Sequence, residues 1–477
     1  MKPVSFIFLI LIFFSLHFGC FRPLPKEKQT LSIALSEEPP TLDPRKALDN
    51  ISFELIRMCQ DGLVRKNLQN ECVPSLAKNI EISQDKLTYT FHLRDAYWSN
   101  GKKLTAFDFE STWKNSLAPN FPSPMAYLMF IIKNAKQAKL GNVPLEEVGI
   151  HASDENTLIV NLNHPSTYFL DLLTLPIFFP FPNEIANFQE KEHFISIGPF
   201  EITKWKHGSE LLLRKNTNYW DANSVNLDKI KFAIIGNIDT ELELFEQGNL
   251  DWIGNPFSTL PLDANKYLKR KGFSSLPVGG VYYYVFNTKF PFSNKNIRKG
   301  LSFAINRQVI VDYIAQMNQV PATSLISRLI PGSNTSLFPD GDAEIAKQYF
   351  EKGLQELGLT YETFPAITLS YNNFKMHNLV AQSIQEQWGK TFGIQVELKT
   401  KEWKVYIDDL IHKQFGIARC AEYALIEDPI IFLENYIHEC GSNNFTGCIR
   451  TKSALRNLFT NWKMRNAGLG CKKLRKL

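Results

Sequence analysis

The stretch IARCAEYALIEDP, residues 417–429, sets one cation, Arg419, near three acids, Glu422, Glu427 and Asp428, in an otherwise apolar run. Read as a strand, it places Arg419 on one face with Ile417 and Ala421, where a guanidinium is costly unless it meets an anion. That anion is either a structural carboxylate, Glu422 or Asp428, or the carboxylate of a ligand. Glu427 and Asp428 could also be read as the acid/base pair of a secreted hydrolase. Sequence neighbours point in different directions, however, and a surface or capping role is the simpler reading. His207 and Glu210 fall in a hairpin pattern as turn and strand-surface residues, and His438, Glu439 and Cys440 make only a weak metal cluster. HExxH, GxSxG, GxGxxG and GxxxxGK do not occur, which removes the direct routes to a metalloprotease, serine hydrolase, dinucleotide or P-loop reading.

At 477 residues, with 44% hydrophobic and 13% aromatic content, the chain is long enough for two or three domains around large cores. The opening MKPVSFIFLILIFFSLHFGC carries one Lys, an apolar run from Val4 to Phe18, and Gly19-Cys20. The run is too short to span a bilayer but suits the core of a signal peptide. Its Gly-Cys end resembles a lipoprotein signal in which Cys20 is lipidated; ordinary cleavage and an uncleaved anchor are the alternatives. No CxxC occurs, so a zinc ribbon or thioredoxin-type site is not expected. Cys59 and Cys72 could pair in an oxidising compartment, with buried free thiols as the alternative. Net charge is +5, but residues 448–477 hold nine Lys and Arg and no acid, leaving 44 basic against 48 acidic side chains before them, a net of −4. The body is therefore no basic surface for nucleic acid.

Period-two alternation in LTYTFHL (87–93) and TLIVNLN (157–163) predicts strands, and FEITKWKHGSELLLRKN predicts a hairpin across His207-Gly208. Ile297, Leu301, Ile305 and Val309 recur every four residues and predict one amphipathic helix from a cap at Ser293 to Ile314. Further helices are expected over Ala343 to Leu357, closed by Gly358, and over Met376 to Trp388, closed by Gly389, with a strand at Ile394 to Lys399. The mixture, without internal repeats, favours several α/β lobes.

Five blocks then resemble, in family order, the oligopeptide-binding proteins of bacterial peptide ABC importers, extracellular solute-binding protein family 5. They are EPPTLDP (38–44), PSLAKNIEISQDKLTYTFHLRDAYWSNGKKLTAFDF (74–109), GPFEITKWKHGSELLLRKNTNYWD (198–221), FNTKFPFSNKNIRKGLSFAINRQVIV (286–311) and LSYNNFKMHNLVAQSIQEQWGKTFGIQVELKTKEW (369–403). The resemblance implies an α/β, two-lobe periplasmic-binding-protein-like fold of type II. It places lobe I at 30–64 plus 190–285, an extra domain at 65–189 and lobe II from 286 to 447. It further implies a monomeric periplasmic receptor without catalysis or cofactor. Such a receptor captures short peptides between the lobes and delivers them to the importer's membrane subunits. By position, Arg419 and His377 would hold the peptide's carboxyl end; Ala421, Glu422 and Tyr423 would lie on the peptide-pairing strand. Trp403 would line a pocket, and Glu38 would be an acidic cleft residue.

Two departures stand out. Leu425 occupies the position of the family's Asp for the peptide amine, so either Glu422 or Glu427 takes that role, or a free amino end is not selected. The same fold with a non-peptide solute, such as a metal chelate, is the second reading. After SNNFTG (442–447) the expected Trp, acidic helical region and returning strands give way to the basic 448–477. That change is what reading through a frame change, or truncation, would produce; a basic membrane- or nucleic-acid-binding tail is the rival.

Overall fold

The computed structural model describes residues 29–182, 194–260, 277–330, 333, 336–429 and 432. Cys20, the His438–Glu439–Cys440 cluster and the tail 448–477 lie outside the described residues. Three four-stranded sheets carry the architecture. In the first, β1 (Thr30–Leu35) runs parallel to β10 (Lys229–Ile234), which continues antiparallel into β9 (Glu210–Lys215) and β8 (Phe200–Lys206). The β8–β9 connection is the expected turn at His207-Gly208, with Gly208 at φ +67°.

The second sheet is antiparallel throughout, in the order β4 (Ala77–Ile82), β5 (Thr88–Leu93), β7 (Thr157–Asn161), β6 (Ile150–Asp154). Alternation in β5 buries Tyr89, Phe91 and Leu93 against a helix spanning Ala106–Leu117, whose Phe109, Trp113 and Leu117 face the same core. A small ribbon, β2 (Val64–Lys66) with β3 (Cys72–Pro74), lies nearby. Cys59 and Cys72 are free thiols: Cys59 is buried, and the Cys72 thiol donates to Asp171 at 3.3 Å.

The third sheet has the order β11 (Gly280–Phe286), β14 (Ile417–Tyr423), β12 (Ile367–Asn372), β13 (Val396–Lys401). β11 pairs antiparallel with β14, whereas β14, β12 and β13 are mutually parallel. The expected long helix from Ser293 is divided. Asn294 caps α1 (Lys295–Phe303), and Asn306 caps a new turn from Arg307, because its side chain accepts from Val309 N–H while its own N–H donates to Gln387. α2 (Ala343–Leu357) ends at Gly358 as expected. It packs closely on α1, since a Cβ at Gly300 would fall 2.8 Å from that of Phe350. α3 (Lys375–Phe392) continues through Gly389 to Gly393 at φ +70°, because Trp388 and Phe392 both bury against the sheet. The following strand consequently starts at Val396, two residues after Ile394. α4 (Trp403–Ile411) covers the other face.

A buried polar knot ties the start of the second sheet to the loop after β9. Asp61 accepts from Ser75, from Tyr219 OH (2.9 Å), from Trp220 Nε1 (3.2 Å) and from Gly62 N–H (3.0 Å), while Arg65 bridges to Asp221 at 2.9 Å and Arg94 lies 3.6 Å over the Trp220 ring. Asp61→Ala should lower unfolding free energy in urea by roughly 2–4 kcal/mol, because it leaves several buried donors without an acceptor.

Candidate functional site

The carboxyl ends of the parallel strands β12, β13 and β14 share one edge of the third sheet, where ligands bind in open α/β sheets. His377 follows β12, Trp403 follows β13, and Arg419, Ala421 and Tyr423 lie on β14. The β11–β14 register sets what each residue offers. Asn287 N–H donates to Gly416 O at one end of the pair and Ala424 N–H to Gly279 O at the other. Residues 418, 420 and 422 therefore turn their backbone groups to β11, and 417, 419, 421 and 423 turn theirs to the opposite side. On that side β12 pairs only with Ile417 and Ala418 before turning away, where Asn373 N–H donates to Lys401 O at 2.8 Å. Tyr406 OH takes the Arg419 carbonyl. Ala421 and Tyr423 thus present backbone donor and acceptor groups along an edge β12 does not cover.

Side chains alternate in the same way. Ile417 packs in the core with α1, α2 and α3, and Arg419, Ala421 and Tyr423 continue its row. Opposite them on β11 stand Phe286, Tyr284, Tyr282 and Gly280. The Arg419 guanidinium lies 4.9 Å from the Tyr282 ring centroid, and its buried Nε has no hydrogen-bond partner. Among the described residues no carboxylate forms an ion pair with it. Glu422 is buried at 6% exposure on the other face of β14, so strand geometry removes it as the structural counter-ion. Asp428 is buried beyond the strand's end, and Glu427 is exposed.

His377, third residue of α3, is 5% exposed, which excludes a helix-surface role. Its Nδ1 lies 3.3 Å from Tyr282 OH, and Phe374 packs edge-on at 5.0 Å. Burial, and then the neighbouring Arg419 charge, push the imidazole down to about 3, so the ring is neutral at physiological pH. Arg419 is consequently a cation beside a neutral hydrogen-bonding ring.

Trp403 is 51% exposed and stands one helical turn before Tyr406, so it is no core residue. Glu38 follows β1, and its carboxylate is engaged by the β8–β9 turn: Trp205 Nε1 (2.6 Å), His207 Nδ1 and Gly208 N–H (3.0 Å). Burial alone would raise its pKa, but these contacts outweigh that and hold it below the usual range. Sequence reasoning passed over Tyr282, Tyr284, Phe374 and Tyr406, although the alternating aromatic run VYYYVF was the available signal for the first two. Among the described residues no group of His, Cys, Asp and Glu is placed to hold a metal ion, and no helix is long and apolar enough to cross a membrane.

Residues 71–444 match the model of the bacterial extracellular solute-binding proteins, family 5 (middle). The chain belongs to this family. This solute-binding protein is 41% identical over 435 residues to the oligopeptide-binding protein OppA of Bacillus subtilis, covering 88% of this chain and 80% of that one. Among solved structures it resembles the periplasmic oligopeptide-binding protein OppAIV of Borrelia burgdorferi, at 30% identity, TM-score 0.77 and coverage of 87% and 84%. It also resembles Listeria monocytogenes OppA bound to peptide, at 26% identity, TM-score 0.76 and coverage of 88% and 86%. The fold is therefore the two-lobe, mixed α/β periplasmic-binding-protein fold.

Because His377 has a folded-state pKa of about 3 against an ordinary 6.5, the unfolded chain takes up its proton first as pH falls. Its contribution to stability is intact above about pH 6.5 and declines from there toward pH 3. His377→Gln should flatten the fall in melting temperature across that window, and the His377 imidazole resonances of the native protein should show no titration between pH 5 and 8.

Proposed function

We propose that the protein is a receptor that captures short peptides and delivers them to an ABC importer. The observation that carries this reading is the half-buried Arg419 guanidinium, with which no carboxylate among the described residues forms an ion pair, beside the backbone of Ala421 and Tyr423 that β12 leaves uncovered. The first suits a carboxylate, and the second suits a main chain added as a strand. With its carboxyl end at Arg419 and His377, the peptide would lie antiparallel to β14, its amino end toward Tyr423. Backbone pairing is indifferent to sequence, and the half-exposed Trp403 offers a flat apolar wall to varied side chains.

The sheet of β1, β10, β9 and β8 would form lobe I, the antiparallel sheet at 77–161 the extra domain, and the sheet of β11, β14, β12 and β13 lobe II. A peptide that touches both lobes favours their closure by its differential affinity for the closed state. Glu38, occupied by the β8–β9 turn, would shape lobe I's rim rather than neutralise the ligand. The leader's pattern supports export, with Cys20 as a lipid anchor site and the receptor acting as a monomer at the membrane. The second reading, a non-peptide carboxylate such as a metal chelate, is favoured by Leu425. Native mass spectrometry separates the two, since a ladder of short-peptide masses fits the first and a single non-peptide mass the second.

Arg419→Ala should weaken binding of a free-carboxylate peptide by at least thirtyfold, on the order of 2 kcal/mol, in calorimetry. The same substitution should change the affinity of the C-terminally amidated peptide by less than about threefold, because that ligand has no carboxylate to lose. Equal losses for both peptides would overturn the assignment.

A further inference from the structure

Tyr282 touches every polar group on the Arg419 side of the third sheet. It stands on β11 opposite Ala421, on the same face as Tyr284 opposite Arg419. Its hydroxyl lies 3.3 Å from His377 Nδ1 and 3.4 Å from Tyr284 OH, and the Arg419 guanidinium lies 4.9 Å from its ring centroid. The donors and acceptors of this group constrain one another. A guanidinium only donates, a phenol has one proton to give, and a neutral imidazole has one donor and one acceptor nitrogen. A phenol is a stronger acid than a neutral imidazole N–H, and the imine nitrogen is a better base than a phenol oxygen, so the contact is made as O–H to nitrogen. Burial raises the Tyr282 pKa while the Arg419 charge opposes that rise, which strengthens the phenol as a donor. Tyr284 can then donate to the Tyr282 oxygen. With Nδ1 accepting, the proton of the neutral His377 ring sits on Nε2. The ring is 5% exposed and held between Phe374, at 5.0 Å, and the Tyr282 ring, at 5.5 Å. Among the described residues Tyr282 is its hydrogen-bond partner, which leaves Nε2–H for an occupant of the site.

We infer that Tyr282 is a positioning residue whose hydroxyl holds His377 in the Nε2–H form, so that a carboxylate at Arg419 meets a second, uncharged donor. The carboxylate rests on the receptor reading above, whereas the tautomer belongs to the ligand-free protein. Such a donor adds a hydrogen bond to the anion without adding charge to the pocket.

The test combines nitrogen-15 spectra of the histidine rings in the leader-free protein with calorimetry on tetra-alanine and its C-terminal amide at pH 7. The His377 signals, assigned by their loss in His377→Gln, should show a protonated Nε2 and a hydrogen-bonded, bare Nδ1. Tyr282→Phe keeps the ring and removes the donor, so the Nδ1 resonance should move to that of an unbonded imine nitrogen. The same variant should bind the free-carboxylate peptide about fivefold more weakly and the amide less than about twofold more weakly, since the bond to the anion is the stronger one. A protonated Nδ1 in the native protein would overturn the inference, and this measurement decides it should the variant fail to fold. An Nδ1 resonance unmoved by Tyr282→Phe, or equal losses for the two peptides, would also overturn it. A native protein with the Nε2–H ring that binds neither peptide would overturn the receptor reading, and the ligand role of the tautomer with it.

Discussion

A half-buried guanidinium that pairs with no carboxylate among the described residues is the constraint around which the third sheet is arranged. Such a charge is tolerated when aromatic faces and polar rings partly replace its hydration, and here Tyr282, Tyr284 and His377 surround Arg419. The arrangement has an electrostatic consequence. Because burial, and then the Arg419 charge, keep His377 neutral, this pair of residues presents a single positive charge, which suits one carboxylate rather than a doubly charged phosphate. Glu422, the acid nearest to Arg419 in sequence, is placed by strand alternation on the opposite face of β14.

The sheet's topology supplies the second half of the site. In a regular sheet β12 would cover the whole of β14, but it leaves after two paired residues to begin α3. One event therefore performs two tasks: the departure uncovers Ala421 and Tyr423, and the helix that starts there carries His377 to Arg419. Tyr406, from the far side of the sheet, closes the Arg419 carbonyl, so the uncovered edge begins at the next outward-facing residue. Backbone groups left open at a sheet edge are an aggregation hazard unless something occupies them. The rigid surround, with Trp388 and Phe392 anchoring α3, confines this opening to a short edge.

Much of this was legible in the sequence, and the failures have specific causes. Alternation in IARCAEY placed Arg419 correctly with Ile417 and Ala421, and the hairpin across His207-Gly208 and the strand at 88–93 follow from period-two patterns. The long helix from Ser293 was misread because hydrophobic spacing continues across Asn306, whereas the break is made by that residue's capping hydrogen bond and by Gln387. Gly389 was misread as a helix end because a glycine's local signal was outweighed by burial of Trp388 and Phe392 on either side of it. The tyrosines around Arg419 were missed because their contact depends on pairing between strands far apart in the chain, which no local period encodes.

The contrast between Glu38 and Arg419 shows why residue type alone misassigns a binding role. Both are charged residues, Glu38 just after β1 and Arg419 within β14, and both were candidates for ligand contact. Glu38 meets three donors from the β8–β9 turn, so a ligand cation would have to compete with hydrogen bonds already made. Arg419 gives up no hydrogen bond of its buried Nε when an anion arrives. On the proposed reading, a ligand's carboxyl end would gain a charge-assisted contact at Arg419 without displacing a hydrogen bond of that Nε. A peptide held in this way would be oriented by its anionic end, and pairing along the strand edge would set its direction without reading its side chains.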